Sequence, residues 1–107
     1  MIFDHRTYTI RPGKALQELA IYEKYGYEAQ VRHLGEPVLY AYSETGGLNQ
    51  LVHIWAYDDI TDREAKRAAM VNDPQWREFR RQGEAADLRV HQENRILVAA
   101  PFFNLKR

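Results

Sequence analysis

Between Leu51 and Tyr57 the side chains alternate in character without a break. Leu51, His53, Trp55 and Tyr57 fall on one side, and Val52, Ile54 and Ala56 on the other. A two-residue period is the signature of a β-strand, so the chain must build a sheet with two unlike faces. One is expected to be plain core; the other carries polar chemistry, a histidine, among aromatic rings. The strand runs through Asp58-Asp59 into Thr61-Asp62-Arg63-Glu64, where Thr61 and Glu64 have the spacing of a capping box. Asn72-Asp73-Pro74-Gln75-Trp76 then restarts a helix, because Asp caps well and Pro suits the first helical position.

The remaining segments fit around this strand. Residues Ile2 to Arg11 are rich in branched and aromatic types and stop at Pro12-Gly13, which reads as a strand ended by a turn. From Lys14 to Leu34, apolar residues recur near helical spacing, with Gly26 as a weak point and Gly35 as the stop. Pro37 to Ser43 reads as a second strand joined by a Glu44-Thr45-Gly46-Gly47 loop to the strand that ends at Tyr57. With Ser43 opposite Leu48, Tyr40 lies opposite Leu51 and Val38 opposite His53, so Val38, Tyr40 and Tyr42 join the histidine face. In the split helix, Ala65, Ala68, Ala69 and Met70 form an apolar stripe. Trp76 and Phe79 turn inward, Arg77, Arg80 and Arg81 face water, and Gly83 loosens or ends the segment. Leu88 to Ala100 forms the last strand, stopped by Pro101.

The order strand, helix, strand, strand, split helix, strand is that of a ferredoxin-like βαββαβ fold. It is an α+β architecture with a four-stranded antiparallel sheet and its helices on one side. No element is left over to cover the other sheet face. Pairing of two sheets across a twofold axis is the economical solution, which predicts a homodimer with the character of a dimeric α+β barrel. At 107 residues the expected organisation is one domain over residues 1–107.

Composition narrows the function classes. Lys plus Arg and Asp plus Glu each total 15, and zero net charge argues against a phosphate-backbone binder, so no nucleic-acid partner is expected. With no cysteine, thiolate metal sites, disulfides and a cysteine nucleophile are excluded. The four histidines are widely spaced and form no compact ligand motif, so no metal and no cofactor is expected. The N-terminus carries Asp4, His5 and Arg6 where a signal peptide needs an apolar run, and no segment reaches membrane-spanning length. The expectation is a cytoplasmic protein with no membrane partner.

The ordered set Arg6-Thr7-Tyr8-Thr9-Ile10-Arg11-Pro12-Gly13, His53-Ile54-Trp55-Ala56-Tyr57-Asp58, Arg67-Ala68-Ala69 and Asn72-Asp73-Pro74-Gln75-Trp76 resembles the NIPSNAP family over essentially the whole chain. The resemblance implies a dimeric α+β barrel, the fold already reached from element order. It also implies kinship with antibiotic-biosynthesis monooxygenases and haem-degrading monooxygenases, with haem a minor alternative on His53 or His91. It implies no settled activity. The larger eukaryotic members have proposed signalling roles that depend on extensions this chain is not expected to share.

By the same resemblance, a small apolar or aromatic metabolite would sit between sheet and helices, with Trp55 on the wall. His53, two residues earlier, is then the candidate acid or base of a cofactor-independent monooxygenase, since its ordinary pKa lies near neutrality. Tyr40, Tyr42 and Tyr57 supply flat walls with hydroxyl tips, and Trp76 and Phe79 close the pocket from the helix side. The alternative is a noncatalytic homodimeric module in which His53 is packed among aromatics and the rings are core. A cavity reaching His53 separates the two. Asp4 and Arg6 share a face of the first strand and read most simply as an ion pair.

Overall fold

The computed structural model describes residues 1–106. Its elements are β1 (Ile2–Ile10), α1 (Ala15–Tyr25), α2 (Tyr27–Leu34), β2 (Leu39–Tyr42), β3 (Gln50–Tyr57), α3 (Ile60–Val71), α4 (Pro74–Ala86) and β4 (Arg89–Val98). The four strands form one antiparallel sheet in the order β2-β3-β1-β4. This is the expected ferredoxin-like α+β arrangement, with β1 central and beside β3.

Register decides which residues share a face. Ile2, Asp4, Arg6 and Tyr8 of β1 stand opposite Tyr57, Trp55, His53 and Leu51 of β3. On β2, Tyr40 stands opposite His53 and Tyr42 opposite Leu51. The hairpin is therefore two residues out from the register expected of a four-residue loop. Ser43 N–H donates to the Gln50 carbonyl at 2.9 Å, and the loop spans 44–49. A shift of two preserves parity, so Tyr40 and Tyr42 remain on the histidine face. Asn49 adopts a left-handed backbone with φ 61° and accepts a hydrogen bond from Gly13 N–H, which anchors the longer loop.

All four helices cover that one face. Leu34, Trp55, Tyr57, Met70 and Ile2 form one buried cluster, and Tyr8, Ile10, Leu51 and Leu88 a second. The opposite face, with Val52 and Ile54 at its centre, carries no helix. Leu39 and Ala41 of β2 flank these two residues on one side and His5 and Thr7 of β1 on the other, with Glu93 and Arg95 of β4 beyond and Phe3 and Leu97 beside Ala56. Only the C-terminal segment reaches this face, where Phe103 meets Phe3 edge-on at 6.0 Å. The face expected to be plain core is thus the bare one, and the polar face is the packed one.

Helix boundaries follow local chemistry. The Lys14–Leu34 helix breaks at Gly26 because α4 crosses there: a Cβ on Gly26 would lie 2.8 Å from Phe79 Cγ. Gly35 ends α2 at φ 81°, as glycine allows. Asp59, not Thr61, caps α3, accepting from Asp62 N–H at 2.7 Å, while Asp62 accepts from Asp58 N–H at 2.9 Å. The helix therefore starts earlier than expected, at Ile60. Ala65, Ala68 and Ala69 are exposed, and Arg63, Arg67 and Met70 turn toward the sheet. Asp73 caps α4 as expected, with Pro74 at its first position. The helix runs through Gly83 and ends at Asp87, whose φ is 51°.

Candidate functional site

The histidine face holds two different constructions. Toward β2, four rings lie in a row. Tyr8 stacks on His53 at 5.2 Å, His53 on Tyr40 at 4.6 Å, and Tyr40 on Tyr22 of α1 at 4.7 Å. Strand geometry builds this row: Arg6 to Tyr8, His53 and Tyr40 sit side by side on adjacent strands, and α1 drops Tyr22 onto the end. Trp55 N–H donates to His53 Nδ1 at 2.6 Å, which leaves the imidazole proton on Nε2. Burial, then the Arg6 and Arg89 guanidiniums, push the His53 pKa down to about 3. The ring is neutral at physiological pH. Tyr22 donates from its hydroxyl to Gln30 at 2.5 Å, and burial raises both the Tyr22 and Tyr40 phenols.

Toward β4, arginines replace rings. Asp4 is fully buried. It takes Arg6 Nε at 3.2 Å on one oxygen and Arg63 Nε at 3.1 Å on the other. Burial alone would raise this carboxyl, but Arg6 and Arg63 hold it below its ordinary value. Arg6 also donates to the Tyr8 hydroxyl at 3.1 Å. Arg89 donates to buried Glu18 at 3.0 Å, with its guanidinium 4.5 Å from the Tyr8 ring centre and 5.6 Å from that of Phe79.

These groups surround a cleft of about 350 Å³ between the sheet and the last two helices. Its floor is Arg6, Tyr8 and Gln92. One wall is Arg67 and Val71 of α3, and the other is Trp76, Phe79, Arg80 and Gly83 of α4. Glu84, Asp87 and Arg89 complete its rim. The cleft stays open on the side of β4, an edge strand whose residues are all exposed and which the helices meet at Arg89, bonded to Glu18 of α1 and over the Phe79 ring of α4. Trp76 and Phe79 pack tilted at 4.9 Å and give the cleft a flat aromatic side.

Of the residues singled out by sequence, Trp76 and Phe79 line this cleft from the helix side. His53, Trp55, Tyr40, Tyr42 and Tyr57 do not line it. His53 lies one ring behind the wall, screened by Tyr8. Trp55 is the donor that fixes His53, Tyr40 is part of the ring row, and Tyr42 is half exposed on the edge strand. Tyr57 packs under α3, with its buried hydroxyl beside the Arg67 guanidinium. Sequence reasoning missed Arg67, Arg89 and Gly83. The signal for Arg67 was there: Arg63, Arg67 and Met70 share a helical face at spacings of four and three. Among the described residues, no group of three or more His, Asp or Glu side chains comes together to hold a metal ion. No helix among them is long and apolar enough to cross a membrane.

Fold and cleft together define a ferredoxin-like α+β protein with an open pocket between its sheet and its last two helices. The NIPSNAP family model matches residues 3–104, and the chain belongs to the NIPSNAP family. It is 39% identical over 75 residues to the protein NipSnap homolog of Dictyostelium discoideum, covering 70% of this chain and 33% of that protein. With NipSnap homolog 3A of Homo sapiens it shares 33% identity over 79 residues, 73% of this chain and 31% of that one. It thus spans about a third of the length of these relatives. Among solved structures, a NIPSNAP family protein of unknown function from Agrobacterium tumefaciens superposes with a TM-score of 0.89 at 39% identity, covering 99% of this chain and 94% of that chain. A putative antibiotic biosynthesis monooxygenase from Nitrosomonas europaea shares the fold at 14% identity, with a TM-score of 0.66 over 92% of this chain and 98% of that one.

Proposed function

We propose that this chain is a homodimeric ligand-binding module whose cleft receives a small metabolite with a flat, apolar body. The supporting observation is the cleft itself: about 350 Å³, open to solvent, with the Trp76–Phe79 pair on one side. Ring-lined concavities of this size recognise planar molecules by stacking and burial. Gly83 adds to this support. It lies inside α4, where glycine costs about 1 kcal/mol relative to alanine. No neighbour approaches within 4 Å of where its Cβ would be, so steric crowding does not require it. A side chain there would project into the cleft. Gly83→Leu should therefore fold at least as well as the parent and lose binding of planar fragments, read by calorimetry. Undiminished binding in that variant would remove the cleft from the reading.

The dimer follows from the bare sheet face. Val52 and Ile54 with Leu39 and Ala41 of β2, and Phe3 with Leu97, are the apolar parts of this face, with His5, Thr7, Glu93 and Arg95 as its polar part, and a second copy would cover it. Sedimentation showing a monomer at micromolar concentration would end that part of the proposal. His53 supports binding rather than acid–base chemistry, because its ring is stacked on both sides and a pKa of about 3 makes it a weak base at neutral pH. Oxygen-dependent turnover of an aromatic substrate, lost in His53→Ala with the dimer intact, would replace the binding reading with a cofactor-independent monooxygenase.

A further inference from the structure

The charges around the cleft do not balance, and the imbalance has a location. Four guanidiniums, Arg6, Arg63, Arg67 and Arg89, converge on the sheet side of α3 and α4. Arg6 and Arg63 share Asp4, Arg63 also holds Glu64 at 2.6 Å, and Arg89 holds Glu18. Arg67 makes no ion pair among the described residues. It is half-buried and lines the cleft.

The geometry points to a monoanionic ligand: a small aromatic carboxylate whose carboxylate pairs with Arg67 while its ring lies against Trp76 and Phe79. This deepens the ligand-binding reading and rests on it. A half-buried guanidinium without a counter-ion is costly to keep, since desolvation is not repaid by a partner. Burial first, then the neighbouring Arg6, weaken the hold of Arg67 on its proton, and Tyr57 and Asp4 offset this only in part. An incoming carboxylate relieves the remainder and matches the planar, bidentate donor geometry of arginine. Arg80 on the opposite wall also has no ion pair among the described residues, but it is exposed and solvated, so the half-buried charge that calls for a partner is the single one on Arg67. Arg6 and Arg89 are already committed, and Glu84 at the rim opposes a dianion.

Calorimetry on the intact protein with cinnamate, its neutral isostere cinnamamide and phenylphosphonate tests this. Cinnamate should bind about tenfold or more tightly than cinnamamide, as a charge-assisted contact predicts. The preference should disappear in Arg67→Gln and be partly kept in Arg67→Lys. Equal binding of acid and amide by the parent protein would overturn the anion assignment and leave the cleft as a binding site. So would a preference that survives in folded Arg67→Gln, or tighter binding of phenylphosphonate than of cinnamate. Binding of neither acid nor amide would overturn both the assignment and the ligand-binding reading. The acid–amide comparison needs no variant, so it decides even if Arg67→Gln fails to fold.

Discussion

Two halves of one sheet face make opposite use of buried polar groups. Under α1 and α2, His53 is saturated: a ring on each side, a tryptophan N–H on Nδ1, and no charge. Under α3 and α4, four arginines meet two fully buried carboxylates, and one guanidinium stays unmatched beside open space. The first half has spent its hydrogen-bonding and stacking capacity on folding. The second keeps some in reserve. Recognition needs unspent capacity, so the cleft and not the histidine is where a ligand gains most.

The contrast makes its largest claim at Trp55, which is almost fully buried and also supplies the donor that fixes His53. Trp55→Ala should cost about 3–5 kcal/mol of stability in chemical denaturation. A loss below about 1 kcal/mol would show that the packed half is not packed. His53 tests the same half by pH. Its imidazole titrates near 3 in the fold against 6.5 ordinarily, so between those values the unfolded chain takes up a proton that the folded chain refuses. Stability should be full above pH 6.5 and fall as pH drops below it, by up to about 1.4 kcal/mol per pH unit. His53→Gln should flatten that slope down to about pH 4.5, below which carboxylates begin to titrate. An unchanged slope in the variant would assign the effect elsewhere.

A smaller effect is expected where the two halves meet. Gly26 admits Phe79, and a methyl at 2.8 Å from Cγ must push the ring or the helix. Gly26→Ala should cost about 1–3 kcal/mol, and because Phe79 lines the cleft it should also weaken binding of a planar ligand. Loss of stability with binding untouched would uncouple the packed half from the cleft. The smallest effect belongs to Arg80, exposed at the rim. Arg80→Gln should leave stability within about 0.5 kcal/mol and slow anion association in a salt-dependent way. A larger loss of stability would place Arg80 in the framework rather than at the mouth.

The sequence was most legible where a period and a turn agreed. The alternation over Leu51 to Tyr57 identified β3, Asp73-Pro74 marked the start of α4, and Gly26 and Gly35 marked a break and a stop. Parity put Tyr40 and Tyr42 on the right face even though the hairpin register was two residues off, because a shift of two changes neighbours and not sides. The α3 stripe was misread because alanines look apolar at any position. Pairing of Arg63 with buried Asp4 sets which side of α3 meets the sheet, and it is arginines that turn inward.

By itself, then, the sequence determined the element order, the two-faced strand and the family, because local periodicity and turn chemistry act between near neighbours in the chain. Which face the helices would cover, and which arginine would be left without a carboxylate, only the tertiary structure decided. Arg67, Asp4, Glu18 and Arg89 are brought together from α3, β1, α1 and β4. A balance of charge among residues so far apart in the chain exists only once packing has placed them around the same space.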